Sequence, residues 1–225
     1  MMEKLAVIIP YRDRAEHLKE FLRIFPSKIN VDKESQFCIP YHIFAIEQAN
    51  HKPFNRAKLL NVGFTLTQTD FDYFCFHDVD MMPDKADYSY PSIPTHLATN
   101  VSQFRHWVGK GLAYPTYFGG VVLFNKQDFL KVNGYSNSYW GYGAEDDDLL
   151  CRILRNGLMW QRREGKFESL FHPSNARTVH HQNNNNRLLR ILAGQEIDAS
   201  GLTNLDFSIK DQKKYSTYTF YSVDI

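Results

Sequence analysis

An α/β fold with a mostly parallel, Rossmann-like sheet flanked by helices is what this sequence predicts, on two observations. Short continuous apolar runs, the pattern of strands buried on both faces, alternate with segments whose apolar residues recur at helical spacing. The chain has 225 residues, which fits one domain with a core on the scale of an ordinary α/β enzyme.

Leu5 to Pro10 is the first such run, and Leu18, Phe21, Leu22 and Phe25 follow at helical spacing after a charged loop. Tyr41 to Glu47 reads as a second strand. Asn55 can cap a helix from about Arg56 to Thr69, with Ala57, Leu60 and Phe64 inward. Tyr73 to His77 is a third strand. Gly119 to Phe124 reads as another, followed by a short helix over Lys126 to Val132. A longer helix over Glu145 to Asn156 has Leu149, Leu150, Ile153 and Leu154 as its buried side. Beyond about Ser169 the periodicity fades. Asn183 to Asn186 reads as a polar loop, and the tail from Lys210 to Ile225, with Tyr215, Thr217, Thr219 and Tyr221 alternating, as an edge strand.

Lys and Arg total 26 against 25 Asp and Glu, a formal charge of +1, so no global field favours nucleic acid or an anionic bilayer. Any anion must be bound locally. Cys38, Cys75 and Cys151 are odd in number and lie in or beside apolar segments, which points to free thiols in a reducing compartment. There is no run of eighteen apolar residues, and a strand beginning at Leu5 leaves no room for a signal peptide. The expected location is the cytoplasm, with a membrane met only peripherally at its inner face.

In open α/β sheets, ligands sit outside the carboxyl ends of the strands. Asp78-Val79-Asp80 lies at such an end, and if the strand continues through it, both carboxylates face one side and can converge on one ligand. Hard divalent cations that carry phosphates bind through one or two such groups. The plainer reading is a solvated strand end. Pro10-Tyr11-Arg12-Asp13-Arg14 and Phe54-Asn55-Arg56-Ala57-Lys58 place guanidiniums at two further loop-to-helix starts, where they can reach a phosphate or serve only as charged turns. In Trp140-Gly141-Tyr142-Gly143, glycines alternating with large aromatics expose ring faces that can grip a sugar. Glu145, Asp146, Asp147 and Asp148 then open a helix, and four acids exceed what the helix dipole requires. One of them, ionised by the helix start, can take a proton from a substrate hydroxyl. His180 and His181, with Asp80, form a carboxylate and imidazole set that suits Mn²⁺ better than Mg²⁺.

In this order the blocks resemble the signatures of the β-1,4-galactosyltransferase family, glycosyltransferase family seven. They run from Ile8-Ile9-Pro10-Tyr11-Arg12-Asp13-Arg14 through Phe54 to Phe64, His77-Asp78-Val79-Asp80, Tyr117-Phe118-Gly119-Gly120 and Trp140 to Asp148. His77 and Asp87 to Pro91 look most like the branch that galactosylates xylose in the proteoglycan linker. The resemblance implies a GT-A nucleotide-diphospho-sugar transferase fold, UDP-galactose as donor, a saccharide acceptor, Mn²⁺ as cofactor and inversion at the anomeric carbon. It implies one domain over 1–225, with a nucleotide-binding half over about 1–82 and an acceptor-binding half and tail over about 83–225.

By the same resemblance Asp146 is the catalytic base. Pro10, Tyr11, Arg12, Arg14, Phe54, Arg56, Asp78, Val79, Tyr117 and Gly120 bind the donor. Trp140, Tyr142, Gly143, Glu145 and Asp147 bind the acceptor, and Asp80 with His180 or His181 binds the metal. Two departures stand out: Tyr142 replaces the usual tryptophan, and adjacent histidines replace Met-x-x-His or His-x-His. The product belongs to surface polysaccharide or glycoconjugate synthesis. UDP-N-acetylgalactosamine or UDP-glucose as donor, a metal-dependent nucleotide-sugar hydrolase, and a catalytically dead glycan-binding module are the alternatives. Oligomeric state is left open, and Gly109 and Gly111 would permit a hinge.

Overall fold

The computed structural model describes residues 2–29, 38–105, 111–171 and 179–225. In chain order the elements are β1 (Leu5–Tyr11), α1 (Ala15–Lys28), β2 (Tyr41–Gln48), α2 (Arg56–Thr67), β3 (Tyr73–His77), β4 (Met81–Ala86), β5 (Thr95–His96) and β6 (Asn100–Val101). They continue with β7 (Val121–Asn125), α3 (Lys126–Lys131), α4 (Glu145–Arg155), β8 (Gln161–Arg162), β9 (Gly165–Ser169), α5 (Val179–Leu192), β10 (Ser208–Lys214) and β11 (Tyr218–Asp224).

Among the described residues, eight strands form the main sheet in the order β10-β11-β2-β1-β3-β7-β5-β8. The four from β11 to β3 are mutually parallel, while β7 runs antiparallel to β3 and β5 antiparallel to β7. All seven residues of β1 are buried, as the continuous apolar run requires of a central strand. Leu5, Val7 and Ile9 face α1 through Leu18, Phe21 and Phe25, and Ala6 and Ile8 face α2. A Cβ on Gly63 would stand 2.3 Å from Ile8 Cγ2, so α2 rides directly on the strand.

The strands and helices expected through Asn156 are present, with ends displaced by a residue or two. Four features differ. Leu154 is 56% exposed, because α4 buries only Leu149, Leu150 and Ile153 on its apolar stripe. Asn183 to Asn186 lie inside α5 and not in a loop. The tail is a hairpin: β10, exposed throughout, is the edge, and β11 is an inner strand parallel to β2. Finally, β4, β9 and β6 form a second, three-stranded sheet over the α1 face, with no clear alternation to announce it. Gly109, one of the two glycines of the expected hinge, lies outside the described residues. No helix among the described residues is long and apolar enough to cross a membrane.

Candidate active site

The carboxyl ends of β1 and β3 open on the same side as the start of α2, because β1, β2 and β3 are mutually parallel and α2 follows the carboxyl end of β2. Asn55 caps α2 through Lys58 N (2.8 Å), and its own Nδ2 reaches Asn137 O (2.9 Å), which fixes Arg56 as the first helical residue. Arg12 Nη1 donates to Lys52 O (2.8 Å), and its guanidinium lies 5.2 Å from the centre of the Phe54 ring. The first and second loops thus meet in a cation on an aromatic face.

Asp78, Val79 and Asp80 form a turn, not a strand continuation. Met81 N bonds Asp78 O (3.2 Å), and Asp78 N bonds Gly120 O (2.9 Å). Val79 is packed into the core at 7% exposure, which removes its side chain from the donor set expected of it. Asp80 O accepts from Leu170 N (2.8 Å), so the chain leaving β9 passes this turn.

Arg56 is the centre of the site. Its Nε donates to Asp78 Oδ1 (2.5 Å) and its Nη1 to Asp146 Oδ1 (2.8 Å), with Glu145 Oε1 at 3.7 Å. Arg56, expected in the donor set, joins the end of β3 to the start of α4 by pairing with a carboxylate from each. Its Nη2 is buried without a hydrogen bond, as is the Tyr135 hydroxyl, whose ring centre is 5.9 Å from the guanidinium. Burial pushes the Asp78 carboxyl up to about 6, with Arg56 opposing and Asp80 adding to the rise. Burial likewise raises Asp146 well above the usual carboxylate range; Arg56 opposes this, while Glu145, Asp78 and Asp147 reinforce it. The expectation that a helix start lowers the Asp146 pKa is corrected in direction: desolvation outweighs the dipole.

The acid run divides its work. Glu145 and Asp146 face Arg56, Asp147 accepts from the Tyr114 hydroxyl (2.8 Å), and Asp148, at 2% exposure, pairs with Arg152 (2.7 Å) as a structural bond. A Cβ on Gly119 would lie 2.5 Å from Asp146 Oδ2, so only glycine lets this carboxylate reach its place. Of the two aromatics expected to offer faces, Tyr142 is 51% exposed, whereas Trp140 packs against the core with Lys52 Nζ 5.7 Å from its ring centre.

Tyr117 borders the cleft. Its ring meets His96, Phe104 and Tyr114 edge-on, and its carbonyl accepts from Arg162 Nη2 (2.6 Å). His96, pushed down to about 3 by burial, bonds Gly119 O through Nε2 (2.8 Å) and Arg162 Nε through Nδ1 (2.9 Å). Arg donates only, so Nδ1 accepts and Nε2 carries the proton. Tyr114, Tyr135, His96 and Arg162 were not legible as site residues, because each sits in a stretch without a motif.

Among the described residues, no three His, Cys, Asp or Glu side chains stand together as a metal set, so Asp80, His180 and His181 are not gathered on one point. His180 and His181 do lie against one feature, the turn that carries Tyr142. The Tyr142 phenol is raised by burial and by Glu145, Asp146, Asp78 and Asp147, and its ring lies 5.4 Å from that of His181. His181 Nε2 is engaged by Asn185 Nδ2 (3.0 Å), whereas His180 is exposed. A carboxylate at Asp80 with an imidazole from His180 or His181 is a donor chemistry that fits Mn²⁺.

A family model described as the N-terminal region of glycosyl transferase group 7 matches residues 1–92, and one described as the N-terminal domain of galactosyltransferase matches 96–176. Human β-1,4-galactosyltransferase 1 is 38% identical over 230 residues, covering 99% of this chain and 55% of that protein. The chain spans about half the length of the curated relatives it matches. The catalytic domain of Drosophila β1,4-galactosyltransferase 7 with xylobiose is 26% identical with a TM-score of 0.80, covering 99% of this chain and 94% of that one. A mutant of that Drosophila enzyme, in complex with manganese, UDP-Gal and xylobiose, gives 28% and 0.81 over the same shares. The fold is the GT-A fold, and the chain belongs to the β-1,4-galactosyltransferase family, glycosyltransferase family seven.

Proposed function

We propose that the chain is a metal-dependent inverting galactosyltransferase, moving galactose from UDP-galactose to a saccharide hydroxyl with formation of a β linkage. The observation that carries this reading is the Arg56 bridge, which sets Asp78, at the end of β3, and Asp146, at the start of α4, on one cleft. Arg12 on Phe54 offers a platform for a base, and Tyr142, beside Asp147 and Tyr114, offers a face for a sugar ring. Asp146 takes the acceptor hydroxyl proton as that oxygen attacks the galactosyl C1 and UDP departs. A carboxyl whose pKa is raised is, in its ionised form, the stronger base for this transfer. Asp80 and His180 would hold the Mn²⁺, which supplies charge neutralisation at the leaving diphosphate.

We further assign donor recognition to the half ending near Met82 and acceptor recognition to the remainder. Cys38, Cys75 and Cys151 are free thiols, which supports placing the enzyme in the cytoplasm, with a lipid-linked acceptor as its route to the membrane face.

UDP release should require both Mn²⁺ and acceptor, measured over a panel of UDP-sugars and of xylosides and other terminal saccharides. Release as fast without acceptor would make the chain a hydrolase, and full UDP-galactose affinity in EDTA or in Asp80→Ala would remove the metal from the account.

Donor choice is assigned to Tyr117, whose hydroxyl lies 3.3 Å from where a Gly120 Cβ would stand and so crowds that corner. UDP-galactose should be preferred over UDP-N-acetylgalactosamine by roughly 10²-fold. Tyr117→Leu should raise kcat/KM for the second donor with little loss of the first. An unchanged ratio would place donor specificity elsewhere.

A further inference from the structure

Four asparagines in a row sit on α5, and their surroundings differ. Asn183 and Asn186 are exposed, while Asn184 is 6% exposed. Its Nδ2 donates to Trp140 O (3.1 Å) and to Tyr142 O (3.2 Å), so one amide group spans the turn that presents the Tyr142 ring. That turn has little conformational restraint of its own. Gly141 and Gly143 have φ of +78° and +97°, in the region open mainly to glycine. Gly141 N is tied to Phe54 O (2.7 Å) on the donor side, and the carbonyls on either side of it are tied to Asn184. The seat on α5 is close: a Cβ on Gly141 would lie 2.5 Å from His180 Cβ, and one on Gly143 2.7 Å from His181 Nδ1.

We propose that Asn184 is a positioning residue for acceptor recognition, its amide fixing the Trp140–Gly143 turn on α5 so that the Tyr142 face is already aimed when the sugar arrives. The inference rests on the transferase reading above. Two carbonyls can be satisfied by one side-chain nitrogen only if it carries two protons, which an amide does and a carboxylate does not. With the clamp gone, the glycine turn samples other conformations and the acceptor must restore one of them on binding, which weakens apparent affinity in proportion to the competent fraction. The bonds from Asn184 end on the Trp140 and Tyr142 carbonyls, and α5 itself, which carries His180, keeps its place when they are lost, so donor binding is not part of that equilibrium.

The test is steady-state kinetics of Asn184→Asp, which keeps the shape and loses both protons, alongside Asn184→Ala, which adds no charge, and Asn183→Ala as the exposed control. The acceptor KM should rise about tenfold or more, the scale of two lost hydrogen bonds. The KM for UDP-galactose and acceptor-independent UDP release should stay within about twofold of wild type. Hydrogen exchange at the amides of residues 141–143 should speed up in both variants while 187–191 of α5 keep their protection. Acceptor and donor KM rising together, an unchanged acceptor KM, or an equal effect in Asn183→Ala would each overturn the assignment. A wild type that transfers to no saccharide overturns the transferase reading and this inference with it; a wild type that transfers, with an unaltered acceptor KM in both Asn184 variants, overturns the inference alone.

Discussion

Arg56→Met should abolish transfer and lower the melting temperature at neutral pH by about 6–20 °C. The guanidinium is 12% exposed and holds Asp78 and Asp146 with a third carboxylate, Glu145, close by. Removing one partner of a buried ion pair leaves uncompensated charge, at a cost of about 3–5 kcal/mol. In a chain of this size each kcal/mol moves the midpoint by about 2–4 °C. The pH dependence follows from the same groups. Without Arg56 the two aspartates lose the interaction that lowers their pKa values, so both carboxyls rise further. A carboxyl raised in the folded state stabilises the fold while protonated and loses that contribution as pH climbs through the folded pKa. The deficit of Arg56→Met should therefore be largest near pH 8 and shrink toward pH 5. Thermal denaturation at the two values checks this, and an equal midpoint for wild type and variant at pH 8 would show that the bridge contributes nothing to the fold.

Asp146→Asn should lower kcat by at least ~10²-fold with UDP-galactose binding nearly intact, the lower end of what a positioned base contributes. The amide oxygen can still accept from Arg56 Nη1, so the bridge survives in shape. The carboxyl is raised by burial, so its ionisation costs stability as pH climbs through the folded pKa, and the variant should melt no lower than wild type on the alkaline side. Wild-type kcat/KM should fall on the acid side through a pKa above the ordinary aspartate range, and that limb should vanish from the residual activity of the variant. Asp147→Asn loses a bond from Tyr114 and should act chiefly on the acceptor KM. A crippled Asp147→Asn beside a mild Asp146→Asn would exchange the two roles.

Much of this arrangement was legible because its chemistry is local. Apolar runs such as Leu5 to Pro10 declare a buried strand by themselves, and Asn55 declares its helix by the bond it can make to Lys58 N. What stayed hidden is long-range. Nothing near Arg56 in sequence says that it will meet Asp146, ninety residues on, and the same side chain at a helix start suits a phosphate equally well. Asn183 to Asn186 read as a loop from composition, yet Asn184 is held by the Trp140 and Tyr142 carbonyls, tertiary contacts that, with the local Asn185 to His181 bond, outweigh the weak helix propensity of asparagine. The desolvation that reverses the expected pKa of Asp146 is likewise a property of the assembled cleft, to which Gly119 and Tyr117 contribute from a different segment.

The most direct test of the account is the configuration of the bond that is made. With UDP-galactose, Mn²⁺ and a saccharide acceptor such as a β-xyloside, proton NMR of the product should show a new β-galactosyl linkage, formed only when acceptor and metal are both present and lost in Asp146→Asn. An α-linked product, or free galactose accumulating at the same rate without acceptor, would contradict it.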